Sequence, residues 1–72
     1  MNGKDYNEDL RSSAKSWKDG QVDEYIEKVA NICIKRGHSP SAVNESIAFG
    51  FGCDISYGYD DDVEKKIKEL KG

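Results

Sequence analysis

Apolar residues recur along most of this chain at spacings of three and four, the period of one face of an α-helix. Glycines or short polar turns separate four such stripes. The stripes are Tyr6, Leu10, Ala14 and Trp17; then Val22, Tyr25, Ile26, Val29, Ile32 and Cys33; then Val43, Ile47 and Phe51; then Val63, Ile67 and Leu70. This pattern predicts an all-α fold, a compact bundle of four short helices, as one domain over residues 1–72.

Residues that favour helix ends flank each stripe. Short polar side chains and proline are preferred where a helix begins, because they satisfy or lack the unpaired backbone N–H groups there. Glycine is preferred just beyond the last turn, because it adopts a left-handed backbone without strain. We therefore expect N-caps at Asp5, Ser39 and Asp60, proline at the first position of the third helix, and stops at Gly20, Gly37 and Gly52.

The overall charge excludes some functions and favours others. The chain has 14 acidic and 11 basic residues and a net charge of −3. A non-specific nucleic-acid binder needs an excess of Lys and Arg to displace counterions from phosphates, so this balance argues mildly against that role. The longest run of apolar residues and glycine, residues 47–53, is far shorter than the roughly 20 needed to span a bilayer. Residues 1–5 carry no apolar leader, so we expect a cytoplasmic protein without membrane association.

The distribution of charge is more informative than its sum. Residues 37–64 contain six carboxylates and no Lys or Arg, and the same span holds both phenylalanines and two of the four tyrosines. Phe49 falls on the side of its helix opposite the inward stripe. Aromatic side chains anchor protein interfaces, and surrounding carboxylates attract a cationic partner. The residues of this predicted acidic-aromatic surface are Glu45, Phe49, Asp54, Tyr57, Tyr59, Asp60, Asp61 and Asp62.

The sequence therefore predicts a small acidic module that binds or inhibits another protein, and its charge favours a basic one. For Tyr57 and Tyr59, a place in the roof of the core fits as well as a place at an interface. The run from Asp54 through Asp62, with the helix that follows, resembles the third and fourth helical segments of colicin-DNase immunity proteins. That resemblance implies a small acidic four-helix domain that blocks a basic nuclease through tyrosines and carboxylates. The longer third helix predicted here departs from that pattern.

Two other functions fit the same helices. Helices over residues 22–36 and 40–51, joined by a short turn containing glycine, have the order of a helix-turn-helix DNA-binding regulator. The run Ser39 to Val43 resembles the start of the recognition helix in lac-repressor-type regulators, and Asn44 could then read bases. This surface would have little with which to hold phosphates. A homodimer that stacks through Ile34 and Phe49 is the other alternative.

Candidate chemistry in the sequence is sparse. Cys33, His38, Cys53 and Asp54 lack the paired spacing of a structural zinc site, so we expect no metal, and we expect both cysteines to be buried apolar side chains. A calcium loop counted from Asp54 places Tyr59 where the turn glycine is required. Catalysis would need a nucleophile, a base and an orienting group in a cleft, and a small bundle offers little room. We therefore expect no enzymatic activity and no cofactor.

Overall fold

The computed structural model describes residues 3–53 and 59–72, with side chains from Tyr6 onward. These residues form four α-helices and no strand, which confirms the predicted all-α bundle. The helices are α1 (Gly3–Lys18), α2 (Val22–Arg36), α3 (Pro40–Phe51) and α4 (Tyr59–Lys71).

Helix α2 lies at the centre of the bundle. It packs most extensively against α1 and α4, while α3 contacts all three other helices. The shortest extent of the backbone is 17 Å, less than twice the diameter of a helix with its side chains. Within the described ranges, no helix combines the length and the apolar character that crossing a membrane requires.

The core is built from the predicted stripes. Tyr25, Val29, Val43, Ile47 and Val63 are fully buried at the contacts between helices. Leu70 was expected to face the core, but it is 44% exposed near the end of α4. The prediction for Leu70 is therefore wrong. The helical period identifies the inward side of a helix, but it does not show where the neighbouring helices end.

The ends of α2 and α3 follow the sequence signals closely. The Ser39 hydroxyl accepts a hydrogen bond from the Ala42 N–H at 3.2 Å, and Pro40 occupies the first position of α3. Gly37 and Gly52 end α2 and α3 with φ of 71° and 66°, in the left-handed region that glycine tolerates best. The turn between α2 and α3 is therefore short and fixed.

The predicted N-caps at Asp5 and Asp60 are wrong. Helix α1 begins at Gly3 and α4 begins at Tyr59, so both aspartates lie inside the first turn. A carboxylate is favourable both at the N-cap and in the first turn, where it faces the positive end of the helix dipole. The sequence signal therefore locates a helix start only to within a few residues.

Both cysteines are buried and carry free thiols, as expected for small apolar side chains. Burial raises the pKa of the Cys33 thiol from 9.0 to about 11. The thiolate is the reactive form of cysteine, so burial keeps Cys33 unreactive at neutral pH.

Candidate protein-binding surface

Helix α3 has two faces with different environments. Val43, Asn44 and Ile47 point inward and are buried. On the opposite side, Ala42, Glu45 and Phe49 follow one another at spacings of three and four and are all exposed. We call these three residues the outer α3 face. They form one continuous line along the surface of the helix.

Phe49 is the most exposed large apolar side chain in the described residues. It is 89% exposed, whereas Ile34 and Leu70, the other exposed large apolar residues there, are 39% and 44% exposed. Single exposed apolar residues are common on protein surfaces, but an almost fully solvated phenyl ring leaves a large apolar area in water. The sequence prediction that Phe49 lies away from the core is confirmed.

The charges at the two ends of α3 differ from those of its neighbours. Helices α2 and α4 each carry acidic residues in the first turn and basic residues in the last turn, an arrangement that offsets the helix dipole. Helix α3 has neither. The partial negative charge at its C-terminal end is therefore not offset by a cation of its own, and Phe49 lies in that last turn, one turn after Glu45. The electrostatics of this helix end favour a positive charge nearby.

The acidic first turn of α4 is tied to α3 by a side-chain hydrogen bond. The Asn44 side-chain amide donates to Oδ1 of Asp60 at 2.5 Å, and Asp60 is half-buried. Asp61 and Asp62 remain exposed. Asp60 therefore has a structural role as well as a charge, whereas the charges of Asp61 and Asp62 face solvent.

The same asparagine links α3 to α2. The Tyr25 hydroxyl donates to Oδ1 of Asn44, so a chain of hydrogen bonds runs from the buried Tyr25 through Asn44 to the half-buried Asp60. Burial raises the pKa of Tyr25 well above its usual 10. Sequence reasoning missed this network, because helical periodicity gives no sign that a polar residue has buried partners. It also removes Asn44 from the role of base reader in the helix-turn-helix alternative, since its side chain is used inside the protein.

Tyr59 lies in the roof of the core rather than on the outer α3 face. Its ring packs edge-on against Trp17 with 5.1 Å between ring centroids, and Trp17 packs in turn against Tyr25 at 5.2 Å. Tyr59 and Asp62 also line a shallow groove between α2 and α4. The predicted site residues are thus divided: Glu45 and Phe49 lie on α3, and Tyr59 to Asp62 lie at the start of α4. Asp54 and Tyr57 are outside the described residues.

Of the residues considered for a metal site, His38 packs against an aromatic ring, and Asp54 lies outside the described residues. The His38 ring packs against Tyr6 at 5.5 Å between centroids, and the Arg36 guanidinium lies 5.0 Å from the centre of the same Tyr6 ring. Across residues 3–53 and 59–72, no three His, Cys, Asp or Glu side chains are grouped so that they could hold a metal ion.

Comparison of the chain with protein-family models, curated proteins and solved structures finds no match. The surface is therefore interpreted from its own geometry and charge.

Proposed function

We propose that this protein is a small interaction module that binds a basic protein partner through the outer α3 face. The observation that carries the proposal is the 89% exposure of Phe49, one helical turn from the exposed Glu45, in a span without Lys or Arg. An aromatic side chain that enters a pocket of a partner is the typical anchor of a protein interface. Glu45 would then pair with a cation beside that pocket.

The acidic first turn of α4 supplies the long-range attraction in this proposal. Exposed carboxylates outside the contact act mainly on the association rate, because they steer a cationic partner before contact is made. Asp61 and Asp62 are suited to this role, since both are exposed. Asp60 contributes charge from a fixed position, because Asn44 holds its carboxylate.

A domain of this kind acts by covering a surface of its partner. If that surface includes a basic active site or a nucleic-acid-binding site, the module is an inhibitor; otherwise it joins proteins together. Both actions use the same chemistry on this side of the interface, namely one phenyl ring and nearby carboxylates.

The test begins with site-specific photo-crosslinking. A benzophenone amino acid is placed at position 49, and a matched control carries it at position 34, where the native Ile34 is also exposed. Both proteins are irradiated in a lysate of the source organism, with and without 0.5 M added salt. We expect one basic protein to crosslink at position 49 and not at position 34, with a lower yield at high salt.

The captured protein is then purified and its binding kinetics are measured. We expect Phe49→Ala to weaken affinity by about 30-fold, an effect of about 2 kcal/mol that is typical of an interface anchor. Asp61→Lys with Asp62→Lys should slow association and flatten its salt dependence, whereas Glu27→Lys, an exposed control on α2, should change the rate less. Equal affinity of the Phe49→Ala variant, or crosslinking of nucleic acid instead of protein, would contradict the proposal.

A further inference from the structure

A groove between α1 and α2 combines an apolar residue with lysines, which would complement the phenyl ring and the carboxylate of the outer α3 face. It encloses about 300 Å³ and is lined from α1 by Asp9 and Ser12 and from α2 by Lys28, Asn31, Ile32 and Lys35. Ile32, whose side chain is buried, is the one apolar residue of this lining. Around Ile32, two lysines and one aspartate give the lining of the groove a net positive charge.

The two lysines of this groove are held differently. The Lys28 ammonium donates to the hydroxyls of Ser12 and Ser16, each at 2.8 Å, and lies 3.8 Å from the Glu24 carboxylate, so its position is fixed across the two helices and its charge is partly offset. Lys35 is held only by an exposed ion pair with Asp9 at 3.7 Å among the described residues, and pairs of this kind contribute little stability. Lys35 can therefore exchange Asp9 for another carboxylate at small cost.

The spacing of the groove matches the spacing of the outer α3 face. Ile32 and Lys35 are separated by three residues on α2, and Phe49 and Glu45 by four on α3, so each pair covers about one helical turn, or 5–6 Å. A phenyl ring placed over Ile32 would bring a carboxylate one turn away close to Lys35. The ring would also lie beside the Lys28 and Lys35 ammonium groups, where cation–π attraction is favourable.

From this complementarity of charge and spacing, we infer that the outer α3 face docks into the α1–α2 groove of a second copy of this chain. The inference rests on the proposed function, because it identifies one occupant of the same docking surface. The two surfaces differ from each other, so the contact is head-to-tail and can extend beyond a dimer. Each contact covers the surface that a foreign basic partner would use, and self-association therefore competes with partner binding.

The interface is small, so its affinity should be weak. Contacts below about 1,200 Å² are typical of transient complexes. The measurement suited to this range is a dilution series from about 1 mM to 10 µM, in which amide NMR shifts and sedimentation velocity are followed at low salt. We expect concentration-dependent shifts at residues 45–50 and at residues 28–35, and a sedimentation coefficient that falls on dilution and on addition of salt.

A charge exchange identifies the contact. Glu45→Lys places a cation opposite Lys35, and Lys35→Glu places an anion opposite Glu45, so each variant alone should stay monomeric. When the two variants are mixed, every contact again joins opposite charges, and association should return. Both positions are exposed, so the fold is kept. Asp9→Asn in an otherwise wild-type chain should strengthen self-association severalfold, because it removes the carboxylate that competes for Lys35.

Three outcomes would overturn this inference. The first is a wild-type chain that remains monomeric at about 1 mM and low salt. The second is self-association that Lys35→Glu leaves unchanged, which would indicate a symmetric contact between two α3 helices. The third is failure of the two variants to associate when mixed. If the chain is monomeric while position 49 still crosslinks a basic protein, this inference fails and the proposed function stands. If the chain self-associates and position 49 captures no partner, the proposed binding of a basic partner fails and the head-to-tail contact stands.

Discussion

The two faces of α3 differ in what they contribute to the folded protein. On the inward face, Val43 and Ile47 fill the core, and Asn44 joins α2 to α4 through hydrogen bonds. On the outer face, Ala42, Glu45 and Phe49 are exposed. One short helix thus has a face that builds the core and a face that is open to solvent, and the proposed function assigns recognition to the second face. Substitutions on the inward face should change stability, and substitutions on the outer face should change binding.

The largest effect on stability is expected at Ile47. Its side chain is fully buried, and Ile47→Ala would remove its methyl and methylene contacts and leave a cavity. We expect a loss of about 2–5 kcal/mol in the free energy of unfolding, measured by urea denaturation. In a domain this small, such a loss is a large fraction of the total stability. A loss below 1 kcal/mol would mean that the inward face is packed more loosely than the full burial of Ile47 indicates.

The next largest effect is expected at Asn44. Asn44→Ala leaves the Tyr25 hydroxyl and the Asp60 carboxylate without their shared partner, so we expect a loss of about 1–3 kcal/mol in unfolding free energy. Tyr25→Phe and the double variant complete a thermodynamic cycle by the same urea assay. Because the residues form one network, the double loss should be smaller than the sum of the single losses. Additive losses would show that the hydrogen bonds act independently.

Alkaline pH should weaken the buried side of the bundle without any substitution. Burial raises the pKa of Cys33 to about 11 and that of Tyr25 well above 10, whereas unfolding restores ordinary values. From about pH 9 upward, the unfolded chain therefore holds fewer protons than the folded chain, and stability falls as pH rises. Each group contributes a slope of up to about 1.4 kcal/mol per pH unit within its own window.

The two groups can be separated by substitution. Cys33→Ala should remove the part of the decline between pH 9 and 11, and Tyr25→Phe should reduce the part above pH 10. Urea denaturation at fixed pH values gives the free energy of unfolding directly. A pH profile that both substitutions leave unchanged would show that neither group causes the alkaline loss.

The smallest effect on stability is expected at Phe49. Phe49→Ala removes a ring that is almost fully solvated and introduces the residue with the highest helix propensity. We therefore expect a change within about 0.5 kcal/mol in unfolding free energy, combined with the loss of partner binding described above. A loss above 1 kcal/mol by urea denaturation would mean that the ring packs against the protein. The separation of the two faces would then fail.

The sequence predicted the helices well because each signal is local. The apolar period depends on residues three and four apart, and the caps at Ser39, Gly37 and Gly52 depend on their own backbone conformation. The first turns of α1 and α4 were placed less well, because an aspartate fits two neighbouring positions. The exposure of Phe49 also follows from local periodicity, since position 49 lies opposite position 47 on the helix.

The parts that could not be predicted depend on distant contacts. Tyr25 and Asp60 lie 19 and 16 residues from Asn44 in sequence, and nothing in the spacing indicates that they meet. The contact of Tyr59 with Trp17 likewise depends on how α1 and α4 approach each other. The acidic span was recognised from sequence, but its division between α3 and the start of α4 required the structure.

Gly50, the neighbour of Phe49, has a consequence for the dynamics of recognition. It lies inside α3 near the end of the helix, where an added methyl group would meet no atom within 4 Å, and glycine at a helical position costs about 1 kcal/mol relative to alanine. The last turn of α3 is thus the part of the helix that opens most easily, and its amide hydrogens should exchange fastest. A partner that seats the phenyl ring also orders this turn, and part of the binding free energy is spent on doing so.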